Sequence, residues 1–174
     1  MKPTWIIFLV VIASFSRAAE NGGDLWWPQF RGPNSSGLGR GKPPVHFGPG
    51  QNVQWKTPVG SGLSSPIIWA ERVFLTEFDR ANQKLGTVCR AADTGELLYD
   101  ERLGTLGYYY SSPVAADNRI YIASAEGVVT VIDAGAKLNV LATNKLDGAI
   151  LATPALAAGN IYVRTESHLY AFGD

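Results

Sequence analysis

Short apolar runs, separated by tight polar breaks, recur along the chain from residue 64 onward. The stretch "SSPVAADNRIYIASAEGVVTVIDA", Ser111 to Ala134, is the clearest. Its first run, "SPVAA", stops at Asp117-Asn118, residue types that tolerate positive φ, and "RIYIAS" follows as its hairpin partner. Glu126-Gly127 makes the next turn, and "VVTVID" is a third strand rich in β-branched residues. After Asp133-Ala134-Gly135 the run "LNVLATN" supplies a fourth. The runs are nearly continuous, whereas a sheet with one wet face shows strict alternation. Sheets covered on both faces are therefore expected. No segment beyond the N-terminal apolar stretch sustains helical spacing, so the fold class predicted is all-β.

The same phrase is written three times. Pro66, Pro113 and Pro154 anchor the copies at spacings of 47 and 41 residues. The first copy reads "SPIIW", "RVFLTEF", a polar insertion around Asp79 to Lys84, "LGTVCRAAD", and "TGELLYDERL" with Thr94-Gly95 as the turn. The third reads "TPALA", a turn at Gly159-Asn160, "IYVRT" and "HLYAFG". A period of roughly 40 to 50 residues is that of four-stranded propeller blades. The expectation is a β-propeller-like array of about three four-stranded antiparallel blades, at 64–103, 111–147 and 152–174, forming an incomplete propeller. The third copy carries only three strands. "NVQWKTPV" (52–59) reads as an orphan outer strand that could complete it, a clasp covering an exposed edge. Residues 19–51 read as an extended N-terminal segment.

Met1 to Ala19 carry the marks of a secretory signal: Lys2, the apolar run "WIIFLVVIASF", and small residues Ser16 and Ala18 before the expected cleavage. The run is shorter than the roughly 20 residues a membrane span needs, which favours cleavage at 1–18 over an uncleaved anchor. Export to the periplasm or exterior is expected, with no membrane span in the mature chain. Loss of Lys2 and Arg17 from the 15 basic residues leaves 13 against 15 acidic ones. There is no basic stripe, so nucleic acid is not an expected partner. Cys89 is the sole cysteine, which rules out an intrachain disulfide and favours a small buried hydrophobe over a reactive thiol.

The repeated pattern, Ser-Pro before two short strands and an apolar run ending in Asp-Ala and then Gly, resembles the PQQ-like β-propeller repeat. That repeat occurs in quinoprotein alcohol dehydrogenases and in the propeller lipoprotein of outer-membrane barrel assembly. "WPQFRGPNSSG" (27–37) and "NVQWKTPVGSGLSSP" resemble an exported bacterial subgroup of these repeat proteins, whose members carry more blades. The junction "LGTLGYYYSSP" (103–113) is where the comparison implies missing blades. Closed propellers need roughly four or more. Quinoprotein dehydrogenases hold PQQ on the axis with Ca²⁺, a catalytic Asp and, in several branches, an adjacent cysteine pair. One cysteine and three blades depart from that, so no cofactor is expected here and PQQ enters only through the family name.

Candidate sites follow. Asp93, Asp117 and Asp133 mark turns, where Asp bonds its own backbone. His46 and His168 have no ligand-spaced neighbours. Ser64-Ser65, Ser111-Ser112 and Thr153 precede the prolines and mark strand starts. No nucleophile elbow, P-loop or dinucleotide fingerprint is present. Trp26, Trp27, Phe30 and Arg31 are the densest aromatic cluster, either a partner surface or a segment packed on the propeller face; Tyr108, Tyr109 and Tyr110 read the same way, with Tyr108 and Tyr109 as the candidates for a partner surface. The function expected is a non-catalytic, exported binding or scaffolding module, with a protein partner or self-association through uncovered blade faces. The alternatives are a quinoprotein redox subunit that binds PQQ, and a truncated remnant.

Overall fold

The computed structural model describes residues 26–39, 42–79, 84–104 and 107–173; the expected signal sequence lies outside them. The strands form three antiparallel meanders in chain order. The first sheet holds β1 (Ile67–Trp69), β2 (Arg72–Asp79), β3 (Lys84–Ala91) and β4 (Leu97–Glu101). The second holds β5 (Val114–Ala116), β6 (Arg119–Ala123), β7 (Val128–Asp133) and β8 (Val140–Lys145). The third holds β9 (Ala155–Ala157), β10 (Asn160–Arg164) and β11 (Leu169–Phe172). The first strands of successive sheets, β1, β5 and β9, are neighbours. The fold is all-β, and sheets joined at their inner strands are the blades of an open, incomplete propeller. Among the described residues no helix is long and apolar enough to cross a membrane.

Turn chemistry sets the registers. Asp117 and Asn118 take φ 48° and 57°, giving the two-residue turn that matches strand twist. The corresponding turn of the third sheet is Ala158-Gly159 (φ 49° and 79°), one residue earlier than the expected Gly159-Asn160. Asn160 instead opens β10, because the turn tolerates an alanine in the left-handed region when glycine follows. Gly127 (φ 80°) has no such latitude: a Cβ there would lie 2.4 Å from the Gly148 carbonyl oxygen.

Packing follows the pleat. Ile67, Phe74, Cys89 and Tyr99 are paired in one row across the first sheet. They meet Ala115, Ile120 and Ile132, a row of the second sheet, in one core. Phe74, Ile120 and Ile132 are fully buried, each such burial contributing about 1.5–3 kcal/mol. The opposite row of the second sheet, Val114, Tyr121 and Val131, turns toward the third. There a smaller cluster forms from Ala123, Val129, Ile150 and Val163.

The residues before the prolines stitch the sheets together. Ser64 Oγ accepts from Thr76 N (3.0 Å) and Ser111 Oγ donates to the Ala123 carbonyl (2.8 Å), each within its own sheet. The next residue bonds between sheets: Ser65 N donates to Ser112 Oγ, and Ser112 N to Thr153 Oγ1, both at 3.0 Å. One hydroxyl thus links each sheet to the one before it.

Among the described residues the expected clasp does not form: β11 pairs only with β10, and residues 52–59 lie against the first sheet. Trp55 Nε1 donates to the Ala92 carbonyl (3.0 Å), its ring covers Gly95, and Arg90 donates to the Pro58 carbonyl (3.1 Å). The reason is geometric: the third sheet stands on the far side of the second, out of reach of a segment anchored on the first.

Candidate functional site

An accessible aromatic surface lies where the first and second sheets meet. β2 and β3 run beyond β1, so the Phe78–Leu85 pair stands past the inner strand. Residues 108–113, leading into β5, pass alongside, and the three tyrosines among them alternate as extended backbone requires. Tyr109 is turned inward and is 7% exposed, within the core between the sheets. Tyr108 and Tyr110 are turned outward, 56% and 46% exposed. The Tyr108 ring meets Phe78 edge-on at 6.0 Å and lies 6.2 Å from Tyr110.

The opposite wall is Ser61-Gly62-Leu63. Ser61 and Phe78 exchange backbone hydrogen bonds at 3.1 and 2.6 Å. A Cβ on Gly62 would stand 2.6 Å from the Thr76 carbonyl oxygen, so only glycine lets this wall lie flat on β2. The Tyr108 carbonyl accepts from Ala125 N (2.7 Å), which fixes the tyrosine segment to the second sheet. The result is an apolar cleft of about 310 Å³ between Leu63, Phe78, Leu85, Tyr108 and Tyr110. Glu77 sits at its lip, its Oε2 accepting from Gly60 N at 2.7 Å. Rings and aliphatic walls with little polar lining recognise an apolar or aromatic side chain.

Tyr109, largely buried in the inter-sheet core, also lines this cleft, while Tyr108 and Tyr110 are its exposed members. Phe78 and Leu63 join the site without having been singled out in the sequence. The available signal was the "YYY" spacing, which on extended backbone exposes Tyr108 and Tyr110 together.

The N-terminal cluster divides. Trp27 and Ile68 exchange backbone hydrogen bonds at 2.9 and 2.8 Å, along the axis-facing edge of β1. The Trp27 ring lies on Gly32, where a Cβ would come within 2.5 Å. Trp26 packs on Trp69 with ring centroids 4.1 Å apart. Phe30 is exposed, as is Arg31 (φ 64°). These two rim a separate hollow of about 520 Å³ with Trp27, Ser65, Pro66 and Ile68. Trp27 thus packs at home, Trp26 packs on Trp69 but stays exposed, and Phe30 and Arg31 face outward.

The remaining candidates do not converge. Asp133 Oδ1 accepts from Asn118 Nδ2 (3.1 Å), and Asp117 pairs with Arg119 (3.1 Å) on the surface of the second sheet. Asp93 belongs to the first sheet's turn. The His46 carbonyl accepts from Asn52 Nδ2, while the His168 ring sits beside Ser167 and Tyr170 on the third sheet. Cys89 is fully buried, and burial pushes its thiol up to about 12 against the opposing pull of Arg72. Burial likewise raises the Tyr99 hydroxyl above its usual range.

An axial quinone does not fit these residues. Trp27-Pro28 occupies the axis-facing edge: besides the Trp27–Ile68 bonds, the Pro28 carbonyl accepts from Ala115 N of β5 at 2.8 Å. The one cysteine, buried at the centre of a sheet, offers no thiol pair above such a ring.

No family model matches the chain, and no curated protein matches it. Among solved structures, the crystal structure of BamB from Moraxella catarrhalis is similar, with a TM-score of 0.43 and 15% sequence identity. The similarity covers 62% of this chain and spans 41% of that one.

Proposed function

We propose that the chain is a non-catalytic, exported binding or scaffolding module of the propeller type, and that it holds a partner protein in the Phe78–Tyr108–Tyr110 cleft. The observation that carries this reading is the outward pair Tyr108 and Tyr110 beside Phe78, in a cleft walled by Leu63 and Leu85. Aromatic anchors facing solvent in a shaped apolar cleft are the typical centre of a protein interface. The Ser61–Phe78 and Ala125–Tyr108 backbone bonds hold both walls in place, which reduces the ordering cost of binding.

The test is selection of displayed peptides against the purified mature protein. Peptides with an aromatic or long aliphatic anchor are expected to enrich, and Tyr108→Ala is expected to weaken them about tenfold or more. Phe30→Ala, on the separate hollow, should leave them unchanged. Equal binding by Tyr108→Ala and the parent would refute the cleft as the site. Export is tested by N-terminal sequencing of protein recovered outside the cytoplasm, with a start at Ala19 expected.

A further inference from the structure

The two ends of the array carry matching halves of the contact made at each internal junction. At the leading end, Ser65 Oγ stands where Ser112 Oγ and Thr153 Oγ1 each receive a backbone N–H, yet among the described residues no donor reaches it. At the trailing end, Thr153 N holds the position from which Ser65 N and Ser112 N donate, and among the described residues it has no acceptor. Pro113 and Pro154 are buried, while Pro66 is exposed.

Side chains match in the same way. Tyr162 occupies in the third sheet the register position of Phe74 in the first and Tyr121 in the second, each of which faces the next sheet. Tyr162 is 36% exposed, with Leu169 beside it on the same face. At the leading end, Ser65, Pro66 and Ile68 form the hollow rimmed by Trp27 and Phe30. That is the surface an incoming Tyr162 would cover.

The backbones complete the match. The outer edge of β11 pairs with no described strand, and a wedge of about 580 Å³ opens between it and β8. Residues 52–59 lie on the outer part of the first sheet, held by the Trp55 and Arg90 bonds. Their own backbone makes no strand pairing among the described residues.

We infer that two copies of this chain join head to tail, the segment 52–59 of each serving as the fourth strand of the other's third sheet without leaving its own first sheet. The Thr153 N–H of one copy then donates to Ser65 Oγ of the other, and Tyr162 fills the Pro66–Ile68 hollow. Two such junctions bring six sheets around one axis, within the range of closed propellers, and a two-fold closes the ring. The inference rests on the ends of the array and not on the tyrosine cleft, so either can fail while the other stands.

The test is sedimentation velocity of the mature chain together with cross-linking of an equal mixture of natural-abundance and ¹⁵N-labelled protein, unfolded and refolded together. A species of twice the chain mass is expected, with Lys56–Lys145 cross-links joining light and heavy chains. Successive N–H groups of a strand point to opposite edges, so V53P/Q54P removes a ladder donor whichever edge is used. That variant, and separately Tyr162→Arg, should sediment as a monomer with the near-ultraviolet circular dichroism of the folded sheets retained. A monomeric parent chain overturns the inference, as does a dimer that survives both variants. A mass that climbs without limit as concentration rises, or cross-links confined to chains of one label, also overturns it.

Discussion

The junction between the first and second sheets closes on eleven buried residues, running from Ile67 through Phe74, Cys89 and Tyr99 to Ala134. The junction between the second and third closes on four, Ala123, Val129, Ile150 and Val163, and leaves the wedge beside β8 and Phe172. Both are built from one repeat, so the inner positions agree: a pre-proline hydroxyl link and a row of apolar side chains in register. The difference lies at the outer edge. In the first junction Leu138, just ahead of β8, packs against the core from the second sheet, and Leu103 and Tyr109 fill the space along the connection. Among the described residues the third sheet has three strands and no fourth to do the same. Inner strands align these sheets, while outer strands and connections seal them.

The largest expected effect tests that seal. Phe74→Ala empties the centre of the first junction and should cost about 3–5 kcal/mol. Ile150→Ala should cost near the lower end of the 2–5 kcal/mol range for such truncations, because the second junction already borders open space. Urea unfolding of both variants measures the gap; equal losses would erase the contrast. A second effect depends on pH. The Cys89 thiol, ordinarily near 9, is pushed up to about 12 by burial, so its protonated form favours the fold at neutral pH. That contribution is complete below pH 9 and is withdrawn as pH climbs toward 12, with Tyr99 acting in the same direction. Urea midpoints should fall across this interval, and less steeply in Cys89→Ala. Ellman's reagent should meanwhile leave native Cys89 unreacted and titrate it once the chain is unfolded.

Smaller effects concern the links shared by both junctions. Ser112→Ala removes the acceptor of Ser65 N, and Thr153→Val that of Ser112 N; each should cost about 1 kcal/mol in the same urea measurement. If one loss far exceeds the other, the links are not equivalent. Smallest of all, PQQ with Ca²⁺ should leave the melting temperature unchanged, because Trp27-Pro28 holds the axis-facing edge of β1 and β5. A clear upward shift would show that this edge opens.

The strands were legible because their boundaries are written in turn chemistry. Asp117-Asn118, Glu126-Gly127 and Thr94-Gly95 each stand between apolar runs, and a turn formed at each. The Ala158-Gly159 turn was read one residue late, since alanine gives no sign that it will adopt positive φ. The place of residues 52–59 depends on how far the sheets turn around the axis, a quantity that strand spacing does not contain. For the cleft, "YYY" was visible, but which tyrosine turned inward depended on backbone phase at the junction. Phe78 became part of the site only because the longer first hairpin carries it past β1. A local pattern reveals a strand; a cleft assembled from two sheets and a connection belongs to no single stretch.

The pre-proline hydroxyl also bears on how such a protein could change its length. Each repeat arrives with one acceptor facing backward and one donor facing forward, as a monomer does in a polymer with complementary ends. A whole repeat inserted between two others, or deleted from between them, leaves every internal bond satisfied. Extra residues in a hairpin turn are tolerated as well, since the two links span 47 and 41 residues, whereas loss of an inner strand alone would strand a donor or an acceptor in a half-buried seam. Genetic duplication and loss in units of one repeat would therefore be nearly silent to the fold, and repeat number could drift while the inner ring stays intact.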